Sequence, residues 1–367
     1  GSFSADGFPL PALDTVFSLS LDTGFSYAKD DGFTFGLARF EAAETGNKFA
    51  FHPALTASGS FTKYGAFLNN IAYSDRFSTL RGKSELFINF NEKDFDSAQF
   101  LFTVKNPQSN ESIDIAAELT NPFGFPLAEA KTGFYLNAQA IVTAIGLGRF
   151  TAEQNDANTV TATVIASGAL ENPYIGVNVE HFGLFSARRK IETDLFAYIE
   201  EKKLTIDKMN VRYNNMTFSD ISASFDLSAF TGSLSATFDT GLLKRTVHVP
   251  LEFSISDTVF EGGKRLPSAF TAKLSSPEIS GTLFRNPFPI WLSILKTPDS
   301  IALLTSEEIG ISGIIDGNGD INFSAEERKP LYFNLSGNAA GKTLDIKLAD
   351  FRLDAGALFG GIDNGGI

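Results

Sequence analysis

Residues 247–255 read Val-His-Val-Pro-Leu-Glu-Phe-Ser-Ile. Val247, Val249, Leu251, Phe253 and Ile255 alternate with His248, Pro250, Glu252 and Ser254. A strand turns successive side chains to opposite faces, so this stretch is apolar on one side and wet on the other. Such strict alternation is the mark of a half-buried antiparallel strand. Upstream the same period runs through Ile221, Ala223, Phe225 and Leu227, and through Leu234, Ala236 and Phe238. It is already present in Phe17, Leu19 and Leu21, in Leu86, Ile88 and Phe90, in Phe100, Phe102 and Val104, and in Ile113, Ile115, Ala117 and Leu119. Leu136 to Ala140, Val160 to Ala166, and Ile175 to Val179 carry it further. Near the end it returns in Leu331, Phe333 and Leu335, then in Leu344, Ile346 and Leu348.

Turn signals fall between these runs, among them Asp30-Asp31-Gly32, Thr45-Gly46-Asn47, Asp239-Thr240-Gly241, Glu261-Gly262-Gly263 and Asn318-Gly319. Their spacing predicts about 20–25 strands. The expected fold is all-β: a long, mostly antiparallel, curled sheet or trough with a Phe-rich hydrophobic groove and at most one or two short helices. Residues 187–203 are helix-rich in composition, and 290–308 are either a second helix or two strands. Asn-Pro recurs at Asn106-Pro107, Asn121-Pro122, Asn172-Pro173 and Asn286-Pro287, each after a β-patterned run, where Pro ends a ladder. No linker rich in Pro, Gly and Ser divides the chain. One elongated body over 1–367 is expected, with a weak subdivision near 150. The opening Gly1-Ser2 reads as a cloning remnant and the chain as an excised piece of something longer.

Of 367 residues, 30 are Lys or Arg and 43 are Asp or Glu, a net charge of −13. That excludes the basic face of a nucleic-acid binder and attraction to an anionic membrane surface. There is no Cys and only three His, so thiolate chemistry, disulfides and Cys/His zinc sites are excluded. No apolar run is long enough for a membrane-spanning helix. Phe numbers 37 against 8 Tyr and 1 Trp. Phe lacks the polar handle of the other two, so this bias suits a dry lining rather than the Trp/Tyr girdles of an outer-membrane barrel.

Few residues suggest chemistry. Asp316, Asn318 and Asp320 match the first oxygen positions of a calcium loop, and Glu327 stands at the twelfth. Ile321 occupies the position that needs Gly, and Asn318-Gly319 favours a plain hairpin. Arg188-Arg189-Lys190 reads as a solvated face, with an anion-binding lip as the minor reading. Asp94 and Asp96 have no evident catalytic partner, and Trp291 is expected in the core. Neither enzymatic activity, a cofactor nor a bound metal is expected.

A sheet with one greasy face hides it by closing into a barrel, by packing as a sandwich, or by curling around a guest. Several stretches carry a family resemblance: 203–213 (Lys-Leu-Thr-Ile-Asp-Lys-Met-Asn-Val-Arg-Tyr) leading into 221–227, Gly168-Ala-Leu-Glu-Asn-Pro-Tyr-Ile175, 279–283 and 310–316. They resemble the repeated strands and Gly-x-Leu-x-x-Pro turns of the TamB and AsmA-like envelope proteins, over much of 150–350. The resemblance implies a curled "β-taco" sheet whose groove moves phospholipids between the inner and outer membranes of diderm bacteria. It further implies a part in outer-membrane protein assembly. The family's N-terminal membrane helix is not in this sequence. An inner-membrane anchor through a preceding segment, an outer-membrane β-barrel partner and a periplasmic location are therefore expectations. The groove lining expected from the alternation is Phe100, Phe102, Val104, Ile206, Ile221, Phe225, Leu234, Phe238, Val249, Leu251, Phe253, Ile279, Leu283, Leu344, Ile346 and Leu348, in contact with acyl chains. The alternative is a structural or adhesive β-sandwich or solenoid with a closed core. Alternation alone leaves strand register open.

Overall fold

A computed structural model describes residues 1–10, 15–29, 32–45, 52–91, 94–122, 133–148, 158–186, 189–242, 245–261, 267–282, 287–307, 310–325, 331–338 and 345–353. Every element it describes is a strand, and there are 23. They fall into two compact units, Gly1–Glu201 and Lys202–Ile367.

The first unit holds β1 (Ser2–Leu10), β2 (Thr15–Ala28), β3 (Gly32–Glu44), β4 (Ala54–Thr62), β5 (Gly65–Ser74), β6 (Thr79–Asn91), β7 (Asp94–Lys105), β8 (Ser112–Thr120), β9 (Tyr135–Gly146), β10 (Thr159–Ala169), β11 (Tyr174–Phe185) and β12 (Lys190–Glu200). Each pairs antiparallel with the next in chain order. The second unit holds β13 (Lys203–Tyr213), β14 (Met216–Asp226), β15 (Thr231–Leu242), β16 (Arg245–Val259), β17 (Ala269–Ile279), β18 (Phe288–Lys296), β19 (Ser300–Thr305), β20 (Ile311–Asp316), β21 (Asp320–Ala325), β22 (Leu331–Asn338) and β23 (Asp345–Leu353). It too is an antiparallel meander in chain order. Among the described residues no ladder joins β1 to β12 or β13 to β23, so neither unit closes into a barrel.

The helix expected over 187–203 is not formed; residues 190–200 are β12. Composition there favours a helix, yet Ile191, Thr193, Leu195, Ala197 and Ile199 keep period two. Laddering Leu195 to Val179 and Ile199 to Ile175 overrides a preference worth only tenths of a kcal/mol per residue. Over 290–308 the two-strand alternative holds, as β18 and β19.

Bulges recur along the ladders. β9 to β12 are interrupted side by side, near Ala144, Thr161, Glu180–His181 and Asp194. Ala144 has φ 48°, and its N–H is taken by the Thr161 hydroxyl at 3.1 Å. Bulges sharpen twist and bend a sheet. The best-buried apolar cluster of the first unit is Ile71, Leu80 and Val104 on β5, β6 and β7. Ile145 on β9 packs against this cluster, past the start of β8. Strands stand about 4.8 Å apart, so such contact from two strands away requires the sheet to bend toward its apolar face there.

Candidate functional site

Ladder registers fix which side chains share a face, because residues directly opposite point the same way. In the second unit one row crosses all eleven strands: Leu204, Phe225, Gly232, Ile255, Ala272, Ile294, Leu303, Gly313, Phe323, Leu335 and Leu348. Beside it runs a second row, Ile206, Ala223, Leu234, Phe253, Leu274 and Leu292. Ala236 opposite Leu251 and Phe238 opposite Val249 extend the same face. Ile346 stands across from Gly337, and Ile279 across from Phe288. Ile221 faces Met209 at a register shift beside Asp220, whose φ is 52°. Leu283 and Leu344 lie outside the described residues.

In the first unit Val104 stands between Gly82 and Ile113, Phe102 between Ser84 and Ile115, and Phe100 between Leu86 and Ala117. The row through Phe100 starts far upstream. It runs Phe25, Phe35, Phe61, Ala66, Leu86, Phe100, Ala117, Ala138, Ala166, Ile175 and Ile199, from β2 to β12. The structure thus gathers the described candidates onto one apolar face within each unit. Their burial is incomplete. Val104 and Ile279 are buried, the Phe side chains are half-buried, and Leu348 stays 59% exposed. On the same faces Leu274 and Ile301 each keep 39% of their surface. A closed sandwich core would leave such residues dry, so at these positions the second unit is not sealed.

The opposite face is polar. In the second unit it carries the row Ser224, Ser233, Ser254, Lys273 and Ser293. Its exceptions have local causes. Tyr174 and Ile165 crowd over Gly176, with Tyr198 stacked on Tyr174 at 5.8 Å, so large side chains cover a residue that has none. The apolar face uses the same device: the Phe225 ring lies over Gly232, and the Phe323 ring over Gly313. Trp291, expected in the core, stands opposite Ser275 on the polar face and is partly exposed, with Leu295, Leu304 and Ile314 on that side of β18–β20.

The candidate calcium loop is a hairpin between β20 and β21. Asp316 Oδ1 accepts the backbone N–H of Asn318 and of Asp320, each at 2.9 Å. Asp320 Oδ1 accepts Asn338 Nδ2 at 2.6 Å. One oxygen of each carboxylate is therefore held by protein donors. Glu327 and Arg188 lie outside the described residues. His248 Nδ1 is 2.7 Å from Asp239 Oδ1, and His52 Nδ1 is 3.8 Å from Glu44 Oε2, in different units. Among the described residues no three His, Asp or Glu converge as a metal site.

Sequence reasoning missed the aromatic group at the tip of β2 and β3. Phe25 and Phe35 ring centroids are 5.0 Å apart, Tyr27 and Phe33 5.0 Å, and Phe35 and Phe61 5.6 Å. The signal was present: aromatics at i and i+2 on either side of Lys29-Asp-Asp-Gly32. No family model matches the chain, and comparisons with curated proteins and with solved structures return no match.

Proposed function

We propose that the apolar sheet faces seat phospholipid acyl chains and that the protein is a lipid-binding, lipid-conducting groove of the bacterial envelope. The observation that carries this reading is the incompletely buried apolar row crossing every strand of the second unit, with Phe rings covering its two glycines, Gly232 and Gly313. Apolar surface left open on this scale calls for an apolar occupant. Each CH₂ group of an acyl chain placed on it gains about 0.8 kcal/mol relative to water. Backbone N–H and C=O groups between strands are used in the ladders, so the face offers no directional hydrogen bonds and accepts chains by area alone. The resemblance to TamB and AsmA-like proteins supports phospholipid as the cargo and a span between inner and outer membranes as the setting. An inner-membrane anchor, an outer-membrane barrel partner and assistance to outer-membrane protein assembly belong to the same reading.

The test is native mass spectrometry with lipid extraction on the purified chain. Co-purified phospholipid is expected, and Phe225→Asp, Phe238→Asp and Phe253→Asp are expected to lose it. Variants that fold normally and keep the wild-type lipid content would overturn the reading.

A further inference from the structure

The β2–β3 hairpin outruns its neighbours. β1 is laddered to β2 only as far as Ser2 opposite Asp22, with the Gly1 ammonium on Thr23 O at 2.7 Å. β4 keeps its pairing with β3 as far as Phe61 opposite Phe35. Beyond these points β2 and β3 pair with each other alone, Ser26 with Thr34 through Ala28 with Gly32. This projecting ribbon is amphipathic. One face carries Phe25, Tyr27, Phe33 and Phe35; the other carries Gly24, Ser26, Ala28, Thr34 and Gly36. Phe25 is 78% exposed, Phe33 73% and Tyr27 65%. These large aromatic side chains sit on the most open apolar surface described in the first unit. They pair at 5.0 Å across the ribbon instead of reaching a core.

We infer that this ribbon docks on the surface of a zwitterionic phospholipid bilayer, an assignment that rests on the lipid reading above and gives that groove its membrane contact. Three observations select this occupant. First, the aromatic face is continuous with the proposed lipid seat, through the row from Phe25 and Phe35 by way of Phe61 and Leu86 to Phe100. Second, a face of Phe and Tyr backed by small and hydroxyl side chains suits an element lying flat at the interface, rings down and the other side in water. The outer edges of a two-stranded ribbon keep unpaired backbone groups, which bars deep insertion and favours this shallow pose. Third, the charges match a neutral headgroup layer. The sequence linking β2 to β3 contains Lys29, Asp30 and Asp31, and the Lys63 side chain lies beside Gly32, so positive and negative charges are equal in number over this sequence and its neighbour. The net charge of −13 opposes an anionic surface.

The experiment uses the full chain and phosphatidylcholine vesicles with brominated acyl chains. Wild type is compared with Tyr27→Ser/Phe33→Ser, two ribbon positions outside the row that crosses the sheet, and a reporter carries Phe33→Trp in a Trp291→Phe background. Wild type is expected to float with the vesicles, and the double variant to bind about tenfold more weakly or less, from the lost apolar area. Circular dichroism and co-purified lipid should stay unchanged, and Trp at position 33 should be quenched by bromine. Absent vesicle binding, equal binding by the double variant, or an unquenched reporter would overturn the docking assignment while leaving the groove intact. A wild-type dimer that the double variant converts to monomer would overturn it in favour of a second copy. Ribbon-dependent vesicle binding by a chain with no co-purified lipid would sustain the docking and sink the groove.

Discussion

Asn158 makes a two-point clamp on the backbone of Phe185. Its Nδ2 donates to Phe185 O at 2.9 Å, and its Oδ1 accepts Phe185 N–H at 2.5 Å. Asn158 is 1% exposed and its own carbonyl accepts Leu147 N–H. A side chain thus stands in for a ladder residue where β10 enters and β11 leaves. Asn158→Ala strands two backbone groups of Phe185 in a dry place. The expected cost is about 1–3 kcal/mol, read as a lower urea midpoint, with Asn158→Asp recovering only the Oδ1 half.

Asp226 closes the β14–β15 turn. Its Oδ1 accepts Ala229 N–H and Ser228 N–H, each at 2.8 Å, and these bonds hold the carboxyl below its ordinary 3.8, with help from Lys203 opposite on β13. A depressed carboxyl pKa stabilises the fold fully above the unfolded value, and that contribution is lost as pH falls through the folded value. Melting temperature should therefore drop on acidification below about pH 4. Asp226→Asn keeps the acceptor oxygen without the charge. It should flatten that slope while leaving the melting temperature near neutral pH close to wild type.

Gly313 leaves room for the Phe323 ring directly across the ladder, and a Cβ there collides with the ring itself. Gly313→Ala should cost about 1–3 kcal/mol by displacing the aromatic side chain. Combining it with Phe323→Leu should recover part of the loss, a non-additivity that chemical denaturation of the single and double variants measures.

Phe253 and Ser254 are chain neighbours on opposite faces, the first across from Leu234 and Leu274, the second across from Ser233 and Lys273. Phe253→Asp should lower bound lipid on the order of tenfold, by placing a charge on the apolar row. Ser254→Asp adds the same charge one residue later and should leave lipid content unchanged. Equal losses in both would show that lipid does not distinguish the faces.

The alternation from Val247 to Ile255 was enough to assign that strand and its apolar side, because period two carries through β16 into its partners. The same grammar placed Phe225, Phe238 and Phe253 together before any register was known. Residues 190–200 misled because Glu, Ala and Lys favour helices, and the decisive term, pairing with Val179 and Ile175, is non-local. Bulges at Ala144 and Asp220 depend on φ values that no side-chain pattern announces. Trp291 was misplaced because β18–β20 are apolar on both sides, and there alternation no longer tells the faces apart. The ribbon aromatics escaped notice because their meaning lies in where β1 and β4 stop, which is a property of the neighbours.

Chain-order pairing within each unit has a kinetic and evolutionary corollary. Every strand finds its partner in the segment just before or just after it, so closing each contact costs only the entropy of a short loop. Assembly can start at any hairpin and spread outward in both directions, as in repeat proteins, and a chain emerging end-first can fold in order of arrival. Duplicating or deleting one hairpin restores the direction of the chain and the parity of its side chains. The number of strands in such an architecture is adjustable in steps of two, by copying what is already there.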